Sequence, residues 1–479
     1  MGLLRSARDR FLPPSNRVYV SRSDTALSDL AALRQEVGQL KGAVVQLKGM
    51  VEQLAKGVGD VKGTQGAITS SIKQLSAAQE GRQKELLSIL DCLMLTMSRR
   101  SLGRKTILLA GWYCAGNLGD ELMLRTLVSY APVSIRDDIY VLAWNDNPAF
   151  DPESLNDLGV HTIRYPCTTR EVDMLASCFD VLVWGGGAIL DDVQYDSRQD
   201  NYNTGNIFIR LSEIMLASNK KVYALGLGTN DAFSSEAYLK RLQRIIDGAE
   251  LFTLRDQPSY DVLKESGINM ERIGRCEDIA FANKLLMCPE LRKAHDGKAL
   301  GIVSFHIPAM HETNVAMLND VLDLFSDEPS MRIVLIPFNV TADAWYLPKL
   351  RGACSDPGRV EIAPYADNLS DSSIFDCDFL VVSRYHAALI ASVAGIPYIC
   401  VVPEMHRHYR NKMRYLSQLV DYEDHFLSAS DWSDNQYGKA LLAQLFEDER
   451  QPHTPENMGS IMHDMIMSTW DEIEAFCLE

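Results

Sequence analysis

Lys105-Thr106-Ile107-Leu108-Leu109-Ala110-Gly111-Trp112-Tyr113-Cys114-Ala115-Gly116-Asn117-Leu118-Gly119-Asp120-Glu121 passes from a short apolar run, through a glycine-bearing turn, into helical spacing. The run reads as a buried strand and the segment after the turn as a helix. Glycines at such a turn let the backbone approach a ligand, and the N–H groups that open a helix favour an anion.

The same texture continues on the C-terminal side. Further strands are expected at 139–143, 161–164, 180–184, 221–225 and 251–254, with helices near 121–129, 169–178, 207–217, 236–247 and 259–265. A break at 289–298, rich in charge, separates this half from a second one. There the strands are expected at 300–305, 332–338, 360–362, 379–382 and 398–402, with helices near 314–325, 342–350, 386–393 and 407–419 and a long amphipathic helix at 454–476. Strand–helix alternation of this kind builds a mostly parallel sheet covered on both faces, so an α/β class with two Rossmann-like, doubly wound domains is expected at 105–290 and 295–479.

Ligands of such sheets bind at the carboxyl ends of the strands. Three glycine turns fall there: Gly116-Asn117-Leu118-Gly119-Asp120, Gly185-Gly186-Gly187 followed by Asp191 and Asp192, and Gly226-Leu227-Gly228. The spacing G-x-G-x-x-G is absent after the first strand, so nothing points to a dinucleotide cofactor. Arg255, in Leu254-Arg255-Asp256, stands where a guanidinium could grip a carboxylate or phosphate, or simply pair with Asp256. Ser383-Arg384-Tyr385-His386 ends the 379–382 strand and opens a helix of small residues that runs to Gly395-Ile396-Pro397. An arginine and a histidine at that corner suit anion binding and proton transfer, the structural alternative being a helix cap.

Before residue 105 the chain differs. Segment 1–25 is basic. Segment 26–98 reads as a helical arm in which, from 33 to 93, positions mostly apolar recur with alternating gaps of four and three, as in Leu33, Val37, Leu40, Val44, Leu47, Val51 and Leu54. That is a coiled-coil seam, and Val alternating with Leu favours a parallel dimer, so oligomerisation through this arm is expected. Seven glycines between Gly38 and Gly66 weaken it as a helix. Residues 1–104 carry 16 Lys and Arg against 9 Asp and Glu, whereas the whole chain has a net charge of −17. The acidic remainder argues against nucleic-acid binding, while the basic arm could meet an anionic membrane or an acidic partner. The ten cysteines are scattered without a metal or disulfide pattern, no run approaches the length of a membrane span, and no secretory leader is visible; a reduced cytoplasmic setting and no metal site follow as expectations. The adjacent carboxylates Asp191 and Asp192 are more often caps than metal ligands.

Taken in order over about 106–419, these motifs resemble the polysaccharide pyruvyl transferase family. The likeness rests on Gly116–Glu121, the Gly185-Gly186-Gly187-Ala188-Ile189-Leu190-Asp191-Asp192 turn, Gly226–Gly228, Leu254–Ser259, Asp278-Ile279-Ala280 and Arg384-Tyr385-His386 with Gly395-Ile396-Pro397. It implies a GT-B-like pair of domains facing a cleft. It also implies transfer of a pyruvate ketal from phosphoenolpyruvate, a donor substrate, with no cofactor, to a sugar of a surface glycan or of a lipid- or nucleotide-linked precursor. The resemblance casts His386 as acid/base and Arg384 as a donor grip, with Arg255, Gly116, Asn117, Gly119, Asp120, Gly185, Gly186 and Gly187 around the donor. Tyr385 departs from the leucine common at that place in the family. The stretch with His406, Arg407, His408, Arg410, Lys412 and Arg414 would meet a charged acceptor or form a solvated basic face. The alternatives are a GT-B glycosyltransferase using a nucleotide-sugar and an inactive scaffold that works through its coiled coil.

Overall fold

The computed structural model describes residues 90, 94–96, 98–100, 102–144, 155, 157–166, 169–192, 204–229, 232–286, 298–304, 306–366, 368–404, 407–433, 437–448, 451–455 and 457–479. Residues 95–479 form one compact unit. The basic segment, nearly all of the heptad arm and the break expected at 289–298 (its last residue apart) lie outside the described residues.

Two parallel sheets make up this unit. The first holds β1 (Ile107–Ala110), β2 (Ile139–Ala143), β3 (His161–Arg164), β4 (Val181–Gly185), β5 (Lys221–Leu227), β6 (Leu251–Leu254) and β7 (Gly274–Arg275), in the order β3-β2-β1-β4-β5-β6-β7. The second holds β8 (Ala299–Val303), β9 (Arg332–Leu335), β10 (Val360–Ile362), β11 (Phe379–Val382), β12 (Tyr398–Val402) and β13 (Phe426–Ser428), in the order β10-β9-β8-β11-β12-β13. Strands β1, β2, β4, β8, β11 and β12 are buried on both faces, which is why they read as unbroken apolar runs. Strand order reverses between β1 and β4 and again between β8 and β11, and these two switch points are where a ligand crevice belongs.

The helices, in chain order, are α1 (Leu118–Tyr130), α2 (Val133–Arg136), α3 (Thr169–Cys178), α4 (Thr204–Ala217), α5 (Glu236–Gly248), α6 (Gln257–Glu265), α7 (His311–Leu324), α8 (Val340–Ala353), α9 (Tyr385–Val393), α10 (Arg407–Leu419), α11 (Ala429–Ser433), α12 (Tyr437–Asp448) and α13 (Met458–Leu478). Most boundaries sit within a few residues of those expected. The first helix begins at Leu118 rather than 121 because Asn117 caps it. The strand expected over 332–338 ends at Leu335, since its last residues leave the sheet to pair elsewhere. β7, β13, α2, α11 and α12 were not anticipated. The C-terminal helix α13 crosses back to the first half and packs on α1, α2 and the 3-10 turn Ile279–Ala282, with Trp470 Nε1 donating to Leu127 O at 3.0 Å. The last helix of the second half in sequence is therefore part of the first half's surface.

Candidate active site

The first glycine turn is stitched to the second half. Gly116 takes φ +71°, a conformation glycine adopts without strain. Asn117 then caps α1, its Oδ1 accepting from Gly119 N at 3.3 Å while its Nδ2 donates to Asp120 Oδ2 at 2.7 Å. On either side of Asn117, Leu118 N donates to Phe338 O (3.0 Å) and Val340 N to Gly116 O (2.8 Å). These two bonds form an antiparallel bridge between Asn117 and Asn339, and Asn339 in turn caps α8 through Ala342 N.

Arg255 leaves the end of β6 and turns inward, while Asp256 caps α6 by accepting from Ser259 N at 2.7 Å. Gly228 makes room for the guanidinium, since a Cβ there would lie 2.9 Å from Arg255 Nε. Arg255 Nη1 donates to Asp278 Oδ2 at 2.7 Å. The other carboxylate oxygen of Asp278 accepts from Ala280 N at 3.0 Å and so caps the turn Ile279–Ala282. The guanidinium carbon stands 5.0 Å from the centre of the Tyr385 ring.

Tyr385 and His386 come from the second half, at the start of α9. His386 reaches across to the first half, its Nε2 lying 3.5 Å from Asp278 Oδ2, an ion-pair separation with no hydrogen bond. Its Nδ1 edge lies against Gly119, where any Cβ would collide with the imidazole. Asp278 thus receives Arg255 from one side and His386 from the other. Arg384, two residues earlier, faces elsewhere: Nε donates to Ser304 O at 3.0 Å, and Nη2 donates to Asp343 Oδ1 at 2.5 Å and His306 Nδ1 at 3.0 Å.

The cluster is charged and nearly dry. The side chains of Arg255 and Asp278 are 3% and 0% exposed. Burial alone would raise the Asp278 carboxyl, but His386 and Arg255 together hold it well below the usual carboxylate range. Burial pushes Asp120 up to about 6, against the opposing pull of His386 and Arg255. Burial, and then the neighbouring Arg255, bring Lys412 down to about 7. Lys412 Nζ lies 5.3 Å from the Tyr385 ring, so this tyrosine carries a cation near it on two sides. Arg255 Nε is 3.7 Å from Asp256 Oδ2, and neither atom is hydrogen-bonded among the described residues; His386 Nε2 is likewise without a hydrogen bond. A dry site with unused donors on an arginine and an imidazole can bind an anion and move a proton.

The sequence candidates divide accordingly. Asp120, Arg255 and His386 converge with Gly119, and Arg384 stands beside them in a separate cluster with His306 and Asp343. Gly185 and Gly186 serve packing, since a Cβ at either would strike Leu127 and Tyr113, or Met123. Gly187 faces Asp120. Asp192 accepts from Ser234 N (2.6 Å) and Ser235 N (2.5 Å), a capping arrangement. Of the basic stretch at 406–414, Lys412 is buried whereas Arg407 and Arg414 are exposed; His406 lies outside the described residues. His306 and Asp343 escaped the sequence reading, and Lys412 entered it only as one of the basic stretch, not as a member of the Arg255 and His386 cluster. Lys412 had a visible signal: with Tyr409, Met413 and Leu416 it occupies the inward stripe of α10. A cavity of about 340 Å³ also opens on the second half between Met310 and Thr313, Pro403 and Glu404, and Ser430.

Two parallel α/β domains whose strand ends supply one shared cluster have the GT-B architecture. Similar solved structures include the UDP-GlcNAc 2-epimerase of Methanocaldococcus jannaschii (10% identity, 75% of this chain and 98% of that chain, TM-score 0.50) and Acinetobacter baumannii MurG (11%, 76% and 99%, 0.41). An O-GlcNAc transferase of Thermobaculum terrenum is also similar (14%, 77% and 69%, 0.41). At these identities the likeness speaks for the fold alone. No curated relative matches the sequence. The family model for polysaccharide pyruvyl transferase matches residues 117–404, more than half of the chain, and the chain belongs to that family.

Proposed function

We propose that this protein transfers the pyruvyl group of phosphoenolpyruvate, as a ketal, to a sugar of a surface glycan or of its lipid- or nucleotide-linked precursor. The observation that carries the reading is the meeting of Arg255 and His386, from opposite halves, on the buried carboxylate of Asp278. Family membership makes the protein one of a transferase family, and a cluster able to bind an anion and move a proton supports phosphoenolpyruvate as the donor.

Phosphoenolpyruvate presents a phosphate and a carboxylate. Arg255 has Nε left for one of them, and a guanidinium in a buried site is a strong partner for either. His386 gives a proton to the C3 methylene, and C2 takes up positive charge. One sugar hydroxyl adds its oxygen to C2, the bond from C2 to the phosphate oxygen breaks, and a second hydroxyl closes the ketal. Of the two hydroxyl protons released, one replaces the proton delivered to C3 and the other leaves with inorganic phosphate, so atoms and charge balance. Asp278 keeps a negative charge against His386 throughout. In this reading the heptad arm at 26–98 joins copies of the chain.

The test is phosphate release from phosphoenolpyruvate by the full-length protein, run against a panel of nucleotide- and lipid-linked sugars with His386→Ala alongside. Acceptor-dependent release, reduced by about 10²-fold or more in the variant, is expected for a lost proton donor. Undiminished turnover in His386→Ala would remove the proposed acid, and release without any acceptor would replace transfer by hydrolysis.

A further inference from the structure

Arg384 belongs to the same three-residue segment as His386, yet its guanidinium is spent largely on the protein. One partner is Asp343, a buried carboxylate on the first turn of α8. Asp343 uses its two oxygens differently. Oδ1 accepts from Arg384 Nη2, whereas Oδ2 accepts from the backbone N–H of both Phe338 (2.7 Å) and Asn339 (2.7 Å). Those two residues lie in the segment that pairs with Gly116–Leu118 of the first half. From Arg384 the contacts therefore run to Asp343, to the Phe338–Val340 segment, across the bridge to Asn117 and Gly119, and end at the imidazole of His386, which rests on Gly119. Both ends of this chain lie in one turn of sequence, but the path between them crosses the two halves twice.

We propose that Asp343 is a positioning residue, and that Arg384 acts mainly through it, holding the bridge that sets His386 against Gly119 and Asp278. The physical case is the carboxylate's double duty. A buried charge needs its counter-ion, so Arg384 fixes the place of Asp343, and Asp343 then satisfies two N–H groups that no sheet partner covers. The bridge itself has only two backbone hydrogen bonds. A small shift of these anchors moves one half of the site relative to the other, and a displacement of about 1 Å is enough to cost about 10²-fold in rate.

The experiment compares Asp343→Asn, Arg384→Gln and the double variant of the full chain by two readouts. The first is hydrogen exchange at the amides of Leu118 and Val340, which donate the two bridge bonds, with Leu109 and Val183 in the central strands as internal standards for an intact fold. The positioning role predicts faster exchange at the bridge amides in all three variants and unchanged exchange at the standards. Wild-type exchange at Leu118 and Val340 in both single variants would overturn it. The second readout rests on the pyruvyl-transfer reading. Both single variants should lower kcat by about 10-fold or more, leave the donor KM within about threefold, and combine non-additively, because they cut one path. A large rise in donor KM in Arg384→Gln with an unaffected Asp343→Asn would instead make Arg384 a direct donor ligand and sink the inference. If phosphoenolpyruvate proves not to be the substrate, the exchange measurement still decides the role of Asp343.

Discussion

Arg384 and His386 are two positions apart, and in sequence they look like one functional pair. They separate because the backbone changes state between them: Arg384 is the extended residue that precedes α9 (φ −116°, ψ 138°), and His386 is already in the helix. Side chains across such a corner leave in different directions. Lys412 shows the converse, a residue that the sequence places either against a charged acceptor or on a solvated basic face and that packing draws into the cluster. Its ammonium titrates near 7 instead of 10.5 because burial, then Arg255, disfavour the charge. Tyr385 and Tyr409 flank it, while Asp120, Asp256 and Asp278 pull the other way. A folded-state value below the unfolded one gives a contribution to stability that is whole above pH 10.5 and is lost as pH falls toward 7. Relative to Lys412→Met, the wild type should therefore lose unfolding free energy between pH 10 and 7, as read by urea titrations at both pH values. A difference between the two proteins that stays constant over that range would show that Lys412 keeps its charge in the fold.

At the scale of elements, the strands buried on both faces were legible because four or more apolar residues in a row can be read without knowing their neighbours, and the less buried β3 and β10 were placed as well. β7 and β13, with two and three residues, were not read. The bridge at Asn117 and Asn339 was invisible, since backbone pairing between remote segments leaves no mark on residue type. The glycine turn at Gly116 falls at a corner, whereas Gly226 and Leu227 lie within β5, which runs on to Leu227; which glycine admits a ligand group and which admits a neighbour's side chain depends on packing: Gly119 borders His386 and Gly228 borders Arg255, whereas Gly185 accommodates Leu127 and Tyr113. The return of α13 to the first half was equally illegible, because amphipathic spacing marks a buried face without saying what covers it. That docking has a measurable weight. Trp470 is buried and hydrogen-bonded to Leu127 O, so Trp470→Ala should lower the unfolding free energy by about 3–5 kcal/mol in chemical denaturation. The half-exposed Trp345 (55%) should tolerate alanine within about 0.5 kcal/mol. Equal effects at the two positions would mean that α13 is not held as described.

For the molecule as a whole, neither domain contains the site. The first supplies Asp120, Arg255 and Asp278, the second Tyr385, His386 and Lys412, and the bridge fixes their register. Family and architecture were readable in one sequence, and so was the placing of the candidate residues Arg255 and His386 at strand ends, because glycine corners and charged residues fall at the ends of apolar runs. What the chain does with those groups depends on distances that only the fold supplies. The most direct test of the central claim is equilibrium binding of phosphoenolpyruvate to the full-length protein, with Arg255→Gln and His386→Ala measured beside it. The account predicts saturable binding by the wild type, affinity weakened by about 10- to 100-fold in Arg255→Gln because a charged hydrogen-bonded contact is lost, and binding retained in His386→Ala. Failure of the wild type to bind phosphoenolpyruvate, or undiminished binding by Arg255→Gln, would contradict it.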